Sequence, residues 1–401
     1  MKIQEQQQLF PRDLLKEDAA TKRLFFKEYL VLHPNMEEVL TRLRNAIEDA
    51  DRDSMIYLYG STGVGKSTVK DKIIKELTEK LLPELETDRS RLSILSARLK
   101  APSPPAFFNW RDNFERLLNA AEEPLVGRKI HPDEIKLADG RRRIMSRQTP
   151  SPKALQFAYE KLLEHRRPIA VFLDEAQAIV SSSATRLTHQ LDVIKSVAAD
   201  TGVPHVLFGT YSLLEVRNLD GQVARRSTDI HFRRYSSTGA DYQNFVNVVG
   251  TLALAMPFEN APDLMSFVDL LYEKSAGCIG LLQPWLYRAY NVALRKKAKT
   301  VTLEDLQDSV LGEAALAVIF DEISNGENAM QEGLDKYAAS LNGLFGGGVK
   351  RQHTEDAGGD AKGPERPRTR VTSKPGVRKA NRDLIGSRMG SAYREKAAKT
   401  V

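Results

Sequence analysis

The stretch Tyr57–Thr68, YLYGSTGVGKST, sets three glycines, a lysine and hydroxyl side chains between an apolar run of β type and a run of helical period. Gly60-Ser61-Thr62-Gly63-Val64-Gly65-Lys66-Ser67 fits G-x4-G-K-[ST], with Thr68 following in the helix. This is the pattern of a loop that cradles phosphates. Glycines let the backbone bend until several N–H groups point at one phosphate chain. The helix that follows adds the partial positive charge of its N-terminus. Lys66 then reads as a point charge on the β/γ-phosphates of ATP, and Ser67 as a hydroxyl ligand of Mg2+. A Gly/Ser turn that happens to contain a lysine is the bland alternative. The strand before the loop and the helix after it favour the phosphate loop.

Nucleotide hydrolysis needs an acidic end on a neighbouring strand. AVFLDEAQ (170–177) supplies one. Asp174 reads as the carboxylate that holds Mg2+, mostly through water, and Glu175 as the group that polarises the attacking water. A helix N-cap would also place two acids here, but four apolar residues precede them. Thr210, after the run HVLFG, is placed to bond the γ-phosphate or the water. Arg225 and Arg226 fall between a short helical piece and a strand, where an arginine of one subunit can reach a neighbour's γ-phosphate.

The elements that must position these residues are legible in outline. Residues 35–50 show helical period, with Asn35 as expected N-cap and acids in the first turn. Strands are expected at 55–59, 92–97, 168–175, 205–210 and 229–235, with helices after Lys66 and at 114–123, 154–166 and 188–202. This alternation predicts an α/β fold with a parallel sheet and crossover helices. Residues 241–255, 263–275, 281–296 and 303–323 all read as helices with no strand between them. Residues 1–25 show no clear period, and 124–152 read as a basic loop. The expected organisation is an N-terminal extension (1–25), an ATPase core (26–235), a small helical lid (236–341) and a flexible basic tail (342–401).

Composition narrows the setting. The 401 residues are 41% hydrophobic and 28% charged, as in a soluble protein with a sizeable core. No apolar run approaches the ~20 residues of a membrane span. The first residues lack the apolar stretch of a signal peptide, and Cys278 is the sole cysteine, so no internal disulfide forms. A cytoplasmic protein without membrane contact is expected. The net charge of +6 is uneven. Residues 350–401 hold 14 Lys/Arg against 6 Asp/Glu, a balance of +8 that leaves −2 for the rest.

The order of phosphate loop, Asp-Glu strand, polar strand end, arginine pair and helical lid resembles an AAA+ ATPase. Three phrases narrow the resemblance. LDVIKSVAADTGVPHVLFGTYSLLEVRNLDGQVARRSTDIHFRRY, FLDEAQAIV and FFNWRDNFERLLNAAEEP resemble the TnsC/TniB group of transposition regulators, over roughly residues 25–325. That resemblance implies an ATPase that assembles as a ring or helical filament on double-stranded DNA. It would link a target-selection protein to a transposase. Gly60 to Thr68, Asp174, Glu175, Thr210 and Arg225/Arg226 match the family's site positions. One departure concerns the lid. Where many AAA+ lids place an arginine, this chain has GCIGLLQPW (277–285), which leaves Lys274 or Arg288 as substitutes.

DNA contact is read from the residues. GRKIHPDEIKLADGRRRIMSR (127–147) carries Arg128, Lys129, Lys136, Arg141, Arg142, Arg143 and Arg147 against three acids, and has no aromatic residue. This suits phosphate contact independent of base sequence. A solvated surface loop is the plain alternative. A replication-initiator or helicase-loader ATPase shares the same features, but no initiator-type helix-turn-helix pattern follows the lid. A scaffold that uses ATP only as glue would not need Glu175.

Overall fold

The computed structural model describes residues 8–51, 54–101, 108–131, 135–138, 141–144, 149–181, 184–217 and 227–345. Contacts divide the chain into two units, Met1–Leu344 and Phe345–Val401. Apart from Phe345, the second unit and its basic segment lie outside the described residues.

Five apolar runs pair in parallel. They are β1 (Met55–Tyr59), β2 (Ile94–Arg98), β5 (Ala170–Asp174), β6 (His205–Gly209) and β7 (Ser227–His231), in the order β2-β5-β6-β1-β7. β1 sits between β6 and β7, so Tyr59 stands opposite Gly209 and His231. Every residue of β1 is buried because helices cover both faces of the sheet. The alternation of side chains splits the core in two. Ile56 and Leu58 join Phe172 and Phe208 beneath α2 (Pro34–Glu48) and α3 (Lys66–Thr87). Tyr57, Leu173 and Leu207 join the opposite layer with α4 (Trp110–Ala120), α5 (Pro152–Arg166) and α6 (Ala184–Thr201). A short α7 (Leu213–Arg217) follows β6.

The helical region after Tyr235 comprises α8 (Gly239–Ala255), α9 (Val268–Ser275), α10 (Ile279–Arg295), α11 (Leu303–Ser309) and α12 (Glu313–Phe345). Its core includes Phe245, Leu252, Leu282 and Leu286. No helix among the described residues is long and apolar enough to cross a membrane.

The fold agrees with the expected α/β core and helical lid and differs from the sequence reading in four places. Residues read as aperiodic contain α1 (Ala19–Glu28), capped by Asp18, whose carboxylate accepts from the Thr21 N–H at 2.8 Å. Its Phe26 is fully buried in the lid core against Tyr290. Asn35 is not the cap of α2; His33 is. Pro34 takes the first helical position, where its fixed φ suits and its missing N–H is not needed. Asn35 is buried one residue inside and donates to the Arg233 carbonyl at 3.3 Å. The basic loop contains an antiparallel hairpin, β3 (Ile135–Ala138) and β4 (Arg141–Ile144). The helix expected at 303–323 is two helices. Val310 is extended at φ −66°, ψ 153°, and the break falls between α11 and α12.

Candidate functional site

The phosphate loop joins the C-terminal end of β1 to α3. Gly65 precedes α3 at φ +115°, a conformation open to glycine and strained for other residues. Lys66 opens the helix and folds back over the loop. Its Nζ donates to the carbonyls of Gly60 at 2.9 Å and Ser61 at 2.8 Å. Burial pushes its pKa down to about 8, against the pull of Glu322 and of more distant acids. Ser61 is fully buried and faces Cys278, its Oγ 3.4 Å from the Sγ. Burial raises that thiol to about 11, so it stays neutral. Val64 anchors the loop in the core beneath.

Asp174 ends β5. Its Oδ2 accepts from Lys70 Nζ at 2.5 Å, with both side chains mostly buried. Lys70 stands one helical turn after Lys66, on the same face of α3. Glu175 follows at φ +56°, which costs a non-glycine residue about 1 kcal/mol or more and turns the chain sharply out of β5. Its carboxylate lies 3.4 Å from the Arg98 guanidinium and accepts from the Gln177 amide. Arg98 is the last residue of β2, in register with Asp174. Thr210 follows β6 and shares a 2.9 Å hydrogen bond with Ser212. Lys66, Ser67, Asp174, Glu175 and Thr210 line a single cavity of about 400 Å³ at the C-terminal ends of the strands. Open parallel sheets bind ligands at that edge.

The lid closes the other side. Gly280, near the start of α10, lies against the loop so closely that a Cβ there would sit 2.4 Å from the Gly63 carbonyl oxygen. A second cavity of about 650 Å³ adjoins the first and shares Thr68 and Gly280 with it. Phe26, Tyr29, Gln283 and Tyr287 help line it. Gly280→Ala is expected to push the lid off the loop and weaken nucleotide binding about tenfold, the scale of an overpacking penalty. Titration with a fluorescent nucleotide checks this, and unchanged affinity would show that the lid swings freely.

Several sequence-predicted residues fall elsewhere. Lys274 pairs with Glu273 at 3.0 Å, and Arg288 ties α10 to α11 through the Ser309 carbonyl at 2.9 Å. Neither lines the cavity around Lys66. Lys129 pairs with Glu123 at 2.6 Å, and Arg128 is exposed. Arg141, Arg142 and Arg143 occupy consecutive positions of β4. Arg147, Arg225 and Arg226 lie outside the described residues.

Two site residues escaped the sequence reading. Arg98 carries the signal of a charged residue ending an otherwise apolar strand. Lys70 carries only its one-turn spacing from Lys66.

The donor set fits Mg2+. A hydroxyl at Ser67 and carboxylate oxygens at Asp174 and Glu175 line one cavity. Among the described residues no group of three or more His, Cys, Asp or Glu could hold a metal alone. A Mg2+ that keeps its waters and takes phosphate oxygens needs no such group.

A parallel sheet in this order, with a phosphate loop after β1, an acidic pair after β5 and a helical lid, is the AAA+ P-loop fold. Residues 48–216 match the family model described as AAA domain. Solved structures of similar shape include the ORC2 protein of Aeropyrum pernix in its ADPNP-ADP complexes. It is 16% identical, with 72% of this chain and 71% of that chain covered and a TM-score of 0.48. Drosophila ORC bound to DNA is 14% identical over 86% of this chain and 88% of that chain, with a TM-score of 0.45. Domain III of the Thermotoga maritima replication initiation protein DnaA is 10% identical over 72% and 97%, with a TM-score of 0.39. No curated protein matches the chain.

Proposed function

We propose that the chain is a Mg2+-dependent ATPase that assembles on double-stranded DNA as a ring or helical filament and links a target-selection protein to a transposase. The observation that carries the ATPase reading is the single cavity into which Lys66, Ser67, Asp174, Glu175 and Thr210 converge from three separate segments. Bound ATP and Mg2+ supply the scissile phosphate bond and the charge that neutralises it. Loop N–H groups and Lys66 would bind the phosphates, and Ser67 and Asp174 would hold the metal. Lys70, now paired with Asp174 at 2.5 Å, would share that carboxylate with the metal. Glu175 takes the proton of the attacking water, and Thr210 orients that water or the γ-phosphate. The adjoining cavity, with Tyr29 and Tyr287 in its wall, suits the base. Arg225 or Arg226 of a neighbouring subunit completes the site in trans.

The transposition reading is supported by the likeness of residues 191–235 to the TnsC/TniB group. The proposal is tested by electron microscopy with duplex DNA and a slowly hydrolysed ATP analogue. Ordered assemblies that need both ligands are expected, and their absence would defeat it.

Hairpin register sharpens the DNA reading. Lys136 pairs with Arg143 and Ala138 with Arg141, while Leu137 pairs with Arg142 and Ile135 with Ile144. Directly opposed residues share a face, and faces alternate along a strand. Lys136, Arg141 and Arg143 therefore share one face, and Arg142 falls on the other with three apolar residues. Arg143→Ala is expected to lower the salt slope of DNA binding by about one unit, and Arg142→Ala to leave it unchanged. Equal effects from both would show that the hairpin does not present one face to DNA.

A further inference from the structure

The long helix α12 has no part in the ATPase chemistry derived above, yet it lies over the phosphate loop. Glu322 accepts from the Thr62 N–H at 3.3 Å and from the Thr62 hydroxyl at 2.9 Å and 2.8 Å, one contact to each carboxylate oxygen. Five residues on, Glu327 takes both arms of Arg234, at 2.7 Å and 2.9 Å. Between them, Gly326 rests on Tyr211, so close that a Cβ would lie 2.1 Å from the ring. Ile323 is buried on the same side. Charge, shape and apolar contact thus seat one stretch of α12 against the mouth of the site.

The position of Glu322 conflicts with a full phosphate chain. The chain is anchored at the α3 N-terminus, where the unpaired N–H groups of the first turn lie. Thr62, which Glu322 holds, lines the same cavity as Ser67, Thr68 and Glu175. A third phosphate lengthens the bound chain and adds negative charge to the cavity that Thr62 lines. A carboxylate on Thr62 then meets a like charge at close range. At the effective dielectric of a protein surface, that repulsion changes affinity by a factor of ten or more, about 1.4 kcal/mol per factor of ten. Glu322 is also the acid that bears most on Lys66, the cation meant for the terminal phosphates.

We propose that Glu322 sets the nucleotide preference of the site: α12 stays docked over a diphosphate and is expelled by the terminal phosphate of a triphosphate. The proposal rests on the phosphate-loop reading and adds to it a residue that distinguishes the two nucleotide states. Expulsion frees Arg234 from Glu327 and uncovers Tyr211. It also couples the γ-phosphate to the helix that precedes the basic segment 350–401 in sequence.

The test compares wild type with Glu322→Gln, which keeps the size and the hydrogen bonds and removes the charge. Calorimetry with ADP and with a non-hydrolysable ATP analogue gives the ratio of the two affinities. The variant is expected to bind the analogue about tenfold more tightly and to gain about threefold or less for ADP. In parallel, deuterium uptake across residues 313–340 of the wild type is expected to rise with the analogue and not with ADP. An unchanged affinity ratio, or unchanged uptake with the analogue bound, overturns the proposal and leaves the phosphate loop standing. If neither protein binds either nucleotide, the phosphate-loop reading itself falls, and this proposal with it.

Discussion

Glu175→Gln is expected to keep nucleotide binding close to wild type and to slow hydrolysis by about 10²- to 10³-fold, the usual contribution of a positioned general base. The amide retains the shape of the carboxylate and loses its basicity. The backbone turns through φ +56° at Glu175, and Arg98 and Gln177 contact its carboxylate. Binding rests on a different set of groups, the loop and Lys66, so affinity and rate should separate. Assemblies on DNA should persist longer in the variant because the triphosphate state is not discharged. Single-turnover phosphate release beside an equilibrium affinity measurement checks both halves. Turnover within about twofold of wild type would remove Glu175 from the role of base.

Lys66→Ala is expected to weaken triphosphate binding by about 10²-fold, since it deletes a charged donor from a buried phosphate site. The pH dependence adds a second signature. Burial holds the empty-site Lys66 at about 8, so it is charged at neutral pH and loses its proton as pH rises through that value. Bound phosphates favour the charged form and raise the pKa, so binding takes up a proton above about pH 8. Wild-type affinity should therefore fall as pH rises from about 8 toward 10, and the variant should lack that limb. The empty protein shows the opposite trend. Its folded state binds fewer protons at this lysine than the unfolded chain between about 8 and 10.5, so its stability rises with pH over that window. A wild-type affinity that stays flat from pH 7 to about 10 would show that Lys66 does not meet the phosphates.

The phosphate loop is legible in sequence because its chemistry is local. Consecutive residues supply the N–H groups, the glycine at positive φ and the helix N-terminus, so Gly60 to Thr68 carry their own geometry. The same holds for Asp174, Glu175 and Thr210. Each follows an apolar run of five or so residues that can only be a buried strand, and parallel strands deliver their C-terminal ends to one edge. Register places Arg141 and Arg143 on one face of the hairpin, and a basic loop over 124–152 is all that the residue pattern predicts there. Other parts of the site come from distant segments. Arg98 reaches Glu175 because β2 pairs with β5. Lys70 reaches Asp174 because α3 packs against the end of that strand. Phe26 belongs to the lid core although its segment shows no helical period, since one buried ring on a short polar helix leaves no pattern. Glu322 meets Thr62 across 260 positions of chain. A glutamate on a long polar helix looks like solvated surface until packing shows which turn of that helix lies over the phosphate loop. Short-range backbone geometry is written in neighbouring residues. Contacts between distant side chains depend on how whole elements pack, and there only the tertiary structure decides.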